Sequence, residues 1–231
     1  MIPLKDENKT NNKCYVRLVV LIICTLVFFS QILSPDNNYW IYFFGFKPLS
    51  LFQNVTYPSF PGYLTLITSL FLHGGWMHFL GNMLYLWIFA DNVEDKLGTK
   101  RFVIFYLISG IFASLTQAFF NFNSEVPMIG ASGSIAGVLG AYLYFFPKAK
   151  VLVLIPFFIF FTVKVPAYIL LIFWFLYQFL NLSNVDSSVA WLAHIGGFIF
   201  GYFFAVFSKI NNEKKRGKTI FLDKDEKGPW D

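Results

Sequence analysis

The chain has 231 residues, of which 56% are hydrophobic, 21% aromatic and only 13% charged. Soluble domains carry about 25% charged residues, and a globule of this size has too little interior to hide so much apolar surface from water. Composition therefore excludes an ordinary soluble fold and makes the bilayer the solvent. The net charge of +5 reflects a one-sided distribution of lysine and arginine. It fits anionic lipid on one membrane face and gives no reason to invoke nucleic acid. Cys14 and Cys24 read as membrane-embedded or cytosolic thiols, not as a disulfide framework.

A basic start, Lys5 to Arg17, leads into the first apolar run, Val16–Leu33. An Ala-x-Ala-like cleavage site is missing after it, so the run is expected to remain as an uncleaved transmembrane helix. From Ser34 to about Leu72 lies a long outer loop, rich in rings such as Tyr39, Trp40, Phe43 and Phe44 and broken by Pro35, Pro48, Pro58 and Pro61. That composition suits a segment lying partly in the membrane interface. Further apolar runs follow at about His73–Ala90, Phe102–Phe120, Ser132–Phe146, about Pro166–Leu182 and Val189–Phe207, giving six spans. A crossing takes about 20 apolar residues, and packed, tilted helices tolerate some shorter ones. The stretch Val151–Val163 is equally apolar but is interrupted by Pro156 and ended by Lys164 and Pro166. It reads as an interfacial or re-entrant piece before span five.

Orientation follows from charge. With both termini in the cytoplasm, sixteen of the 18 lysines and arginines fall on the inner side. The domain reading is a cytoplasmic tail over 1–14, a six-span domain over 15–208, and a charged cytoplasmic tail over 209–231 that is expected to be disordered. The sequons Asn54-Val-Thr56 and Asn181-Leu-Ser183 match the glycosylation pattern on the outer side.

Polar groups inside a bilayer are costly and need a reason. Here they are His73, His78, Asn82, Ser132 and His194. Gly130 and Gly133 flank Ser132 where an outer loop turns into span four, leaving the hydroxyl uncovered beside the unpaired N–H groups of a helix start. Such donors can hold an oxyanion during acyl transfer, although the same motif serves small-residue packing with a serine N-cap. His194 shares a helical face with Gly197 and Gly201, and Ser132 shares one with Ala136 and Gly140. Two small-residue stripes of this kind let helix axes approach, and the orientation puts hydroxyl and imidazole at similar depth. His78 and Asn82 lie one turn apart on span two, where they would add oxyanion donors or act as polar glue. His73, about 140° around an ideal helix from His78, does not join it as a metal ligand and is read as a brace for the outer loop. No His-Glu-x-x-His is present, which speaks against a zinc protease. No carboxylate is placed to complete a Ser-His-Asp triad, so a Ser–His dyad is the surviving reading.

The segments His73-Gly-Gly-Trp-Met-His78 through Asp95, Gly130-Ala-Ser-Gly133 and Ala193-His-Ile-Gly-Gly197 through Gly201 together resemble the rhomboid family, over about Gly62 to Phe207. The likeness is to its six-span bacterial form, without a seventh span or accessory domain. The resemblance implies an all-α, multi-pass bundle of a bacterial inner membrane, with a partly embedded first outer loop. It implies a serine endopeptidase with Ser132 as nucleophile and His194 as base. Asn82, His78 and backbone donors at Ser132 and Gly133 would hold the oxyanion, and Gly130, Gly197, Gly201 and His73 would lend structural support. It calls for no cofactor or metal; its partners are transmembrane protein substrates and lipid, and it leaves the oligomeric state open. Some relatives carry an aromatic ring one turn after the serine, packed on the histidine; Ala136 stands there in this chain. The alternatives are a catalytically inactive relative that binds membrane clients, and a small polytopic transporter whose activity would survive Ser132→Ala.

Overall fold

Where the chain is apolar over a long enough run, it forms a helix. The computed structural model describes residues 1–52, 60–156, 160–184 and 189–224; the Asn54 sequon lies outside these ranges. Strand β1 (Ile2–Asp6) precedes α1 (Val16–Leu33). The first outer loop carries α2 (Asn37–Phe44), α3 (Leu49–Phe52), α4 (Gly62–Thr68) and a 3-10 turn at Ser69–Phe71. Then come α5 (Trp76–Leu97), α6 (Thr99–Phe120), α7 (Ser132–Phe145), β2 (Lys150–Pro156), β3 (Phe160–Pro166), α8 (Ala167–Leu180) and α9 (Trp191–Lys224).

Helices α1, α5, α6, α7, α8 and α9 stand where the six apolar runs predict spans, and the chain is an integral multi-pass membrane protein with a helical bundle fold. Among the described residues three segments, Val16–Leu33, Thr99–Phe120 and Trp191–Ser208, are long and apolar enough to cross by themselves. Large apolar side chains such as Leu26, Phe119, Phe173, Leu180 and Phe207 lie exposed on the outside of the bundle, a surface suited to lipid. Helix α7 is different. Every residue from Gly133 to Tyr142 is buried, because α5, α6, α8 and α9 surround it. A helix apolar on all sides is one covered on all sides, and here the cover is protein.

The structure differs from or adds to the sequence reading at three places. Val151–Val163, read as an interfacial or re-entrant piece, forms strands where it is described: β2 and β3 pair antiparallel from Lys150↔Pro166 to Pro156↔Phe160. Its β-branched residues favour strand, and a short continuous apolar run does not tell strand from helix by period. The N-terminal tail, for which the sequence suggests no element, carries β1, which adds to β2 from Ile2↔Leu154 to Asp6↔Val151 and gives a three-stranded sheet in the order β1-β2-β3. Finally, α9 continues through the charged segment to Lys224, where composition predicts disorder. Lysine, glutamate and arginine are good helix formers, and the preceding packed turns supply the nucleus.

The outer loop fixes the approach to α7. Phe46 and Met128 exchange backbone hydrogen bonds at 3.0 and 2.7 Å, and the Leu49 N–H donates to the Ser124 carbonyl at 3.0 Å. Phe46, Leu49, Leu70 and Leu72 are buried, so these parts of the greasy loop are packed onto the bundle.

Candidate active site

Ser132 is the first residue of α7 and is half-buried. The loop before it is held by a hydrogen bond from the Gly130 N–H to the Ser69 carbonyl, 2.9 Å. Gly130 has φ +120, a conformation that excludes residues with a Cβ. It is also a space requirement: a Cβ there would stand 2.6 Å from Nε2 of His78 and 3.6 Å from Oγ of Ser132. Imidazole and hydroxyl thus border the space above one glycine. Among the described residues no side chain caps the start of α7, so its first-turn N–H groups, those of Ser132 and Gly133 among them, keep their donor capacity.

His78 and Asn82 lie on successive turns of α5. Nδ1 of His78 accepts from the Gly74 N–H at 3.4 Å, which leaves Nε2 as the protonated, donating nitrogen. Asn82 is 7% exposed, and its Nδ2 has no partner among the described residues. It is a donor held in reserve, since buried amides are otherwise paired. His73 is fully buried but precedes α5, so the angular argument that separates it from His78 on a helix does not apply. Its N–H donates to Oε1 of Gln31 at 3.0 Å, and Nε2 of Gln31 donates back to its carbonyl at 3.1 Å. Its ring lies edge-on to that of His78, centroids 5.3 Å apart.

The second half of the site arrives on α9. A Cβ on Gly197 would collide with the Gly133 carbonyl, and one on Gly201 with the Gly137 peptide. Both pairs are 64 positions apart, so α7 and α9 run in the same direction in close backbone contact. The same offset sets His194 level with Gly130, within about one helical turn of Ser132. The small-residue contact therefore exists: Ala136 and Gly140 of the expected Ser132–Ala136–Gly140 face meet α9, together with Gly133 and Gly137. Among the described residues no hydrogen bond joins Ser132 to His194.

The partner His194 does have was not legible as part of the site: Nδ1 lies 2.9 Å from Oε1 of Gln178 on α8. The rings of Trp174 and Trp191 flank the imidazole at centroid distances of 5.8 and 6.1 Å. Support for the histidine thus comes from α8 and the start of α9, not from position 136. On α6, Oε1 of Gln117 accepts from the Ala193 N–H at 3.2 Å and pins the start of α9. Both glutamines carry the signal that singles out Asn82, an amide inside an apolar run.

A family model for the rhomboid domain matches residues 61–209. The chain is 29% identical over 161 residues to "Rhomboid protein 1, mitochondrial" of Saccharomyces cerevisiae, covering 68% of this chain and 45% of that one. It is 35% identical over 143 residues to "RHOMBOID-like protein 5" of Arabidopsis thaliana, 60% of this chain and 41% of the other. Against "Rhomboid protease GluP" of Bacillus subtilis it is 36% identical over 140 residues, 61% and 25% of the two chains. The chain thus spans less than half the length of these curated relatives. With the match covering well over half of its own length, the chain belongs to the rhomboid family.

Proposed function

We propose that the chain is an intramembrane serine endopeptidase that cuts the transmembrane segments of single-span proteins, with Ser132 as nucleophile and His194 as its base. The observation that carries this reading is the glycine crossing of α7 and α9, whose register sets His194 beside the uncapped helix start bearing Ser132. A family relative named as a protease, with 36% identity to this chain, supports it from outside the geometry.

The proposed chemistry follows. Ser132 Oγ attacks the scissile carbonyl as Nε2 of His194 takes its proton. The imidazolium then protonates the leaving amine, and water hydrolyses the acyl-enzyme by the reverse route. Charge developing on the carbonyl oxygen would be met by Nδ2 of Asn82, Nε2–H of His78 and the backbone N–H groups at Ser132 and Gly133. The space above Gly130, which His78 and Ser132 share, is where that oxygen fits. A gap between Ser132 and His194 is compatible with this, because catalytic hydrogen bonds in substrate-free sites commonly tighten only on binding.

Depth supports the substrate class. The 14 residues of α7 rise about 21 Å, against a hydrocarbon core of about 30 Å. A helix that short puts its first residue below the outer membrane surface when its other end reaches the inner one. A scissile bond at that depth belongs to a helix whose backbone is internally hydrogen-bonded, so the substrate must unwind locally before attack. The charge asymmetry supports cytoplasmic termini, and the proposed location is a bacterial inner membrane. Gly197 and Gly201 serve as packing support, and His73 as a brace held by Gln31. The direct test is cleavage of a single-span reporter in vesicles: Ser132→Ala and His194→Ala are each expected to abolish it while the fold persists. Cleavage that survives either substitution removes that residue from its role.

A further inference from the structure

Helix α8 carries one strongly polar side chain in a run of aromatic and aliphatic residues. Gln178 is 2% exposed, so both ends of its amide need partners. Nε2 donates to the carbonyl of Trp174, one turn back, at 2.7 Å. A carbonyl only accepts, so the amide cannot be turned end for end without setting two acceptors against each other. Oε1 therefore faces Nδ1 of His194, at 2.9 Å. Oε1 is also only an acceptor, so Nδ1 must carry a proton, and in the neutral ring Nε2 is left with the lone pair. A backbone carbonyl thus orients an amide, and the amide orients an imidazole.

We propose that Gln178 is a positioning residue that holds His194 as its Nδ1–H tautomer and so leaves Nε2 free to take the Ser132 proton. The base role rests on the protease reading above; the tautomer assignment stands without it. Trp174, tilted at 35°, and Trp191, edge-on at 89°, limit rotation of the ring between them. His78 makes the complementary case: a backbone donor at its Nδ1 leaves the hydrogen on Nε2. The two imidazoles are thereby set in opposite tautomers, one to accept and one to donate.

Gln178 is also neutral, and that matters in a poorly hydrated site. A carboxylate at this position would set the same tautomer but would also stabilise the imidazolium and bring a second buried charge to be desolvated. His78 on α5 is the titratable side chain whose charge would act on His194. The side chains against the His194 ring are Gln178 and Trp174 on α8 and Trp191 on α9, none of them charged at neutral pH.

The test uses the full chain in detergent micelles with nitrogen-15-labelled histidine, and reads the ring shifts of His194 beside the kinetics of reporter cleavage. In the parent chain the proton is expected on Nδ1. Gln178→Leu is expected to move it at least partly to Nε2 and to lower kcat by about 10–10²-fold with KM unchanged, since orienting partners of a functional imidazole carry effects of that order or larger. Gln178→Glu is expected to restore the Nδ1 proton and most of kcat at high pH, with the acidic limb of the rate profile moved to higher pH because the imidazolium is stabilised. Parent His194 protonated at Nε2 overturns the proposal, whether or not the leucine variant folds. So does a Gln178→Leu chain with unchanged shifts and unchanged kcat. A parent chain that is Nδ1-protonated but cleaves nothing sinks the protease reading instead and leaves the tautomer assignment supported.

Discussion

At the crossing of α7 and α9 the contact is backbone on backbone: a Cβ on Gly201 would run into the Gly137 peptide, and one on Gly140 into the Phe198 carbonyl. At the far end of α5 the bundle is held by polar side chains instead. Both carboxylate oxygens of Glu94, 1% exposed, accept from the N–H groups of Val16 and Arg17 at 3.0 Å and so cap α1 from a distant part of the chain. Arg17 reaches the Trp87 carbonyl at 2.7 Å and pairs with Asp91 at 2.9 Å, and Asp95 accepts from the N–H groups of Asn11 and Asn12. Asp6, brought in by β1, accepts from Tyr142 at 2.8 Å and from Asn92 at 2.7 Å. The crossing fixes a distance and offers no tolerance. The polar end fixes partners and tolerates small shifts. The proposed active site, which would have to meet a reaction geometry to a fraction of an ångström, sits beside the first kind of contact.

The largest effect separating the two regions is expected at the crossing. Gly201→Val puts a branched side chain against the Gly137 backbone, which has no side chain to move aside, and is expected to cost about 3 kcal/mol with loss of activity. A Gly201→Val chain that unfolds in detergent at the parent temperature and cleaves at the parent rate breaks the comparison. Glu94→Ala, at the other end, strands two helix-start N–H groups and is expected to cost about 2 kcal/mol while leaving kcat within a few-fold. Thermal unfolding and reporter kinetics on the same preparation read both quantities.

The smallest effect is on pH dependence. Burial pushes the Asp6 carboxyl up to about 6, and the neighbouring Asp91 adds to it, against the opposing effect of the Tyr142 hydroxyl that donates to it. The folded chain therefore keeps this proton at pH values where the unfolded chain has lost it, and stability falls as pH rises through that window. Lowering pH from 7 to 5 should raise the contribution of Asp6 to stability by about 1 kcal/mol. In Asp6→Asn that part of the dependence should vanish. A parent chain and an Asp6→Asn chain with the same pH profile of unfolding would show that the β1 contact is solvated.

What was legible in the sequence follows the same divide. The six helices were, because a long apolar run states its own length. So were Ser132, His194, His78 and Asn82 as candidates, because polar groups in apolar runs stand out. The sheet was not: the partner of β1 is about 150 residues away, and β2 and β3 are short apolar runs whose period fits more than one structure. The α7 contact is wider than the expected stripe because neighbouring faces both consist of small residues, and the crossing adds Gly133 and Gly137 to Ala136 and Gly140. Gln178 was missed although it carries the same signal as Asn82, an amide buried within an apolar run.

The central claim is that the Ser132 hydroxyl is activated where it stands. It is tested most directly by treating the intact chain in detergent with a fluorophosphonate probe and locating the adduct by mass spectrometry. The expected result is a single modification on Ser132 that disappears in His194→Ala. Absence of any adduct on Ser132, or equal labelling with and without the histidine, would contradict it.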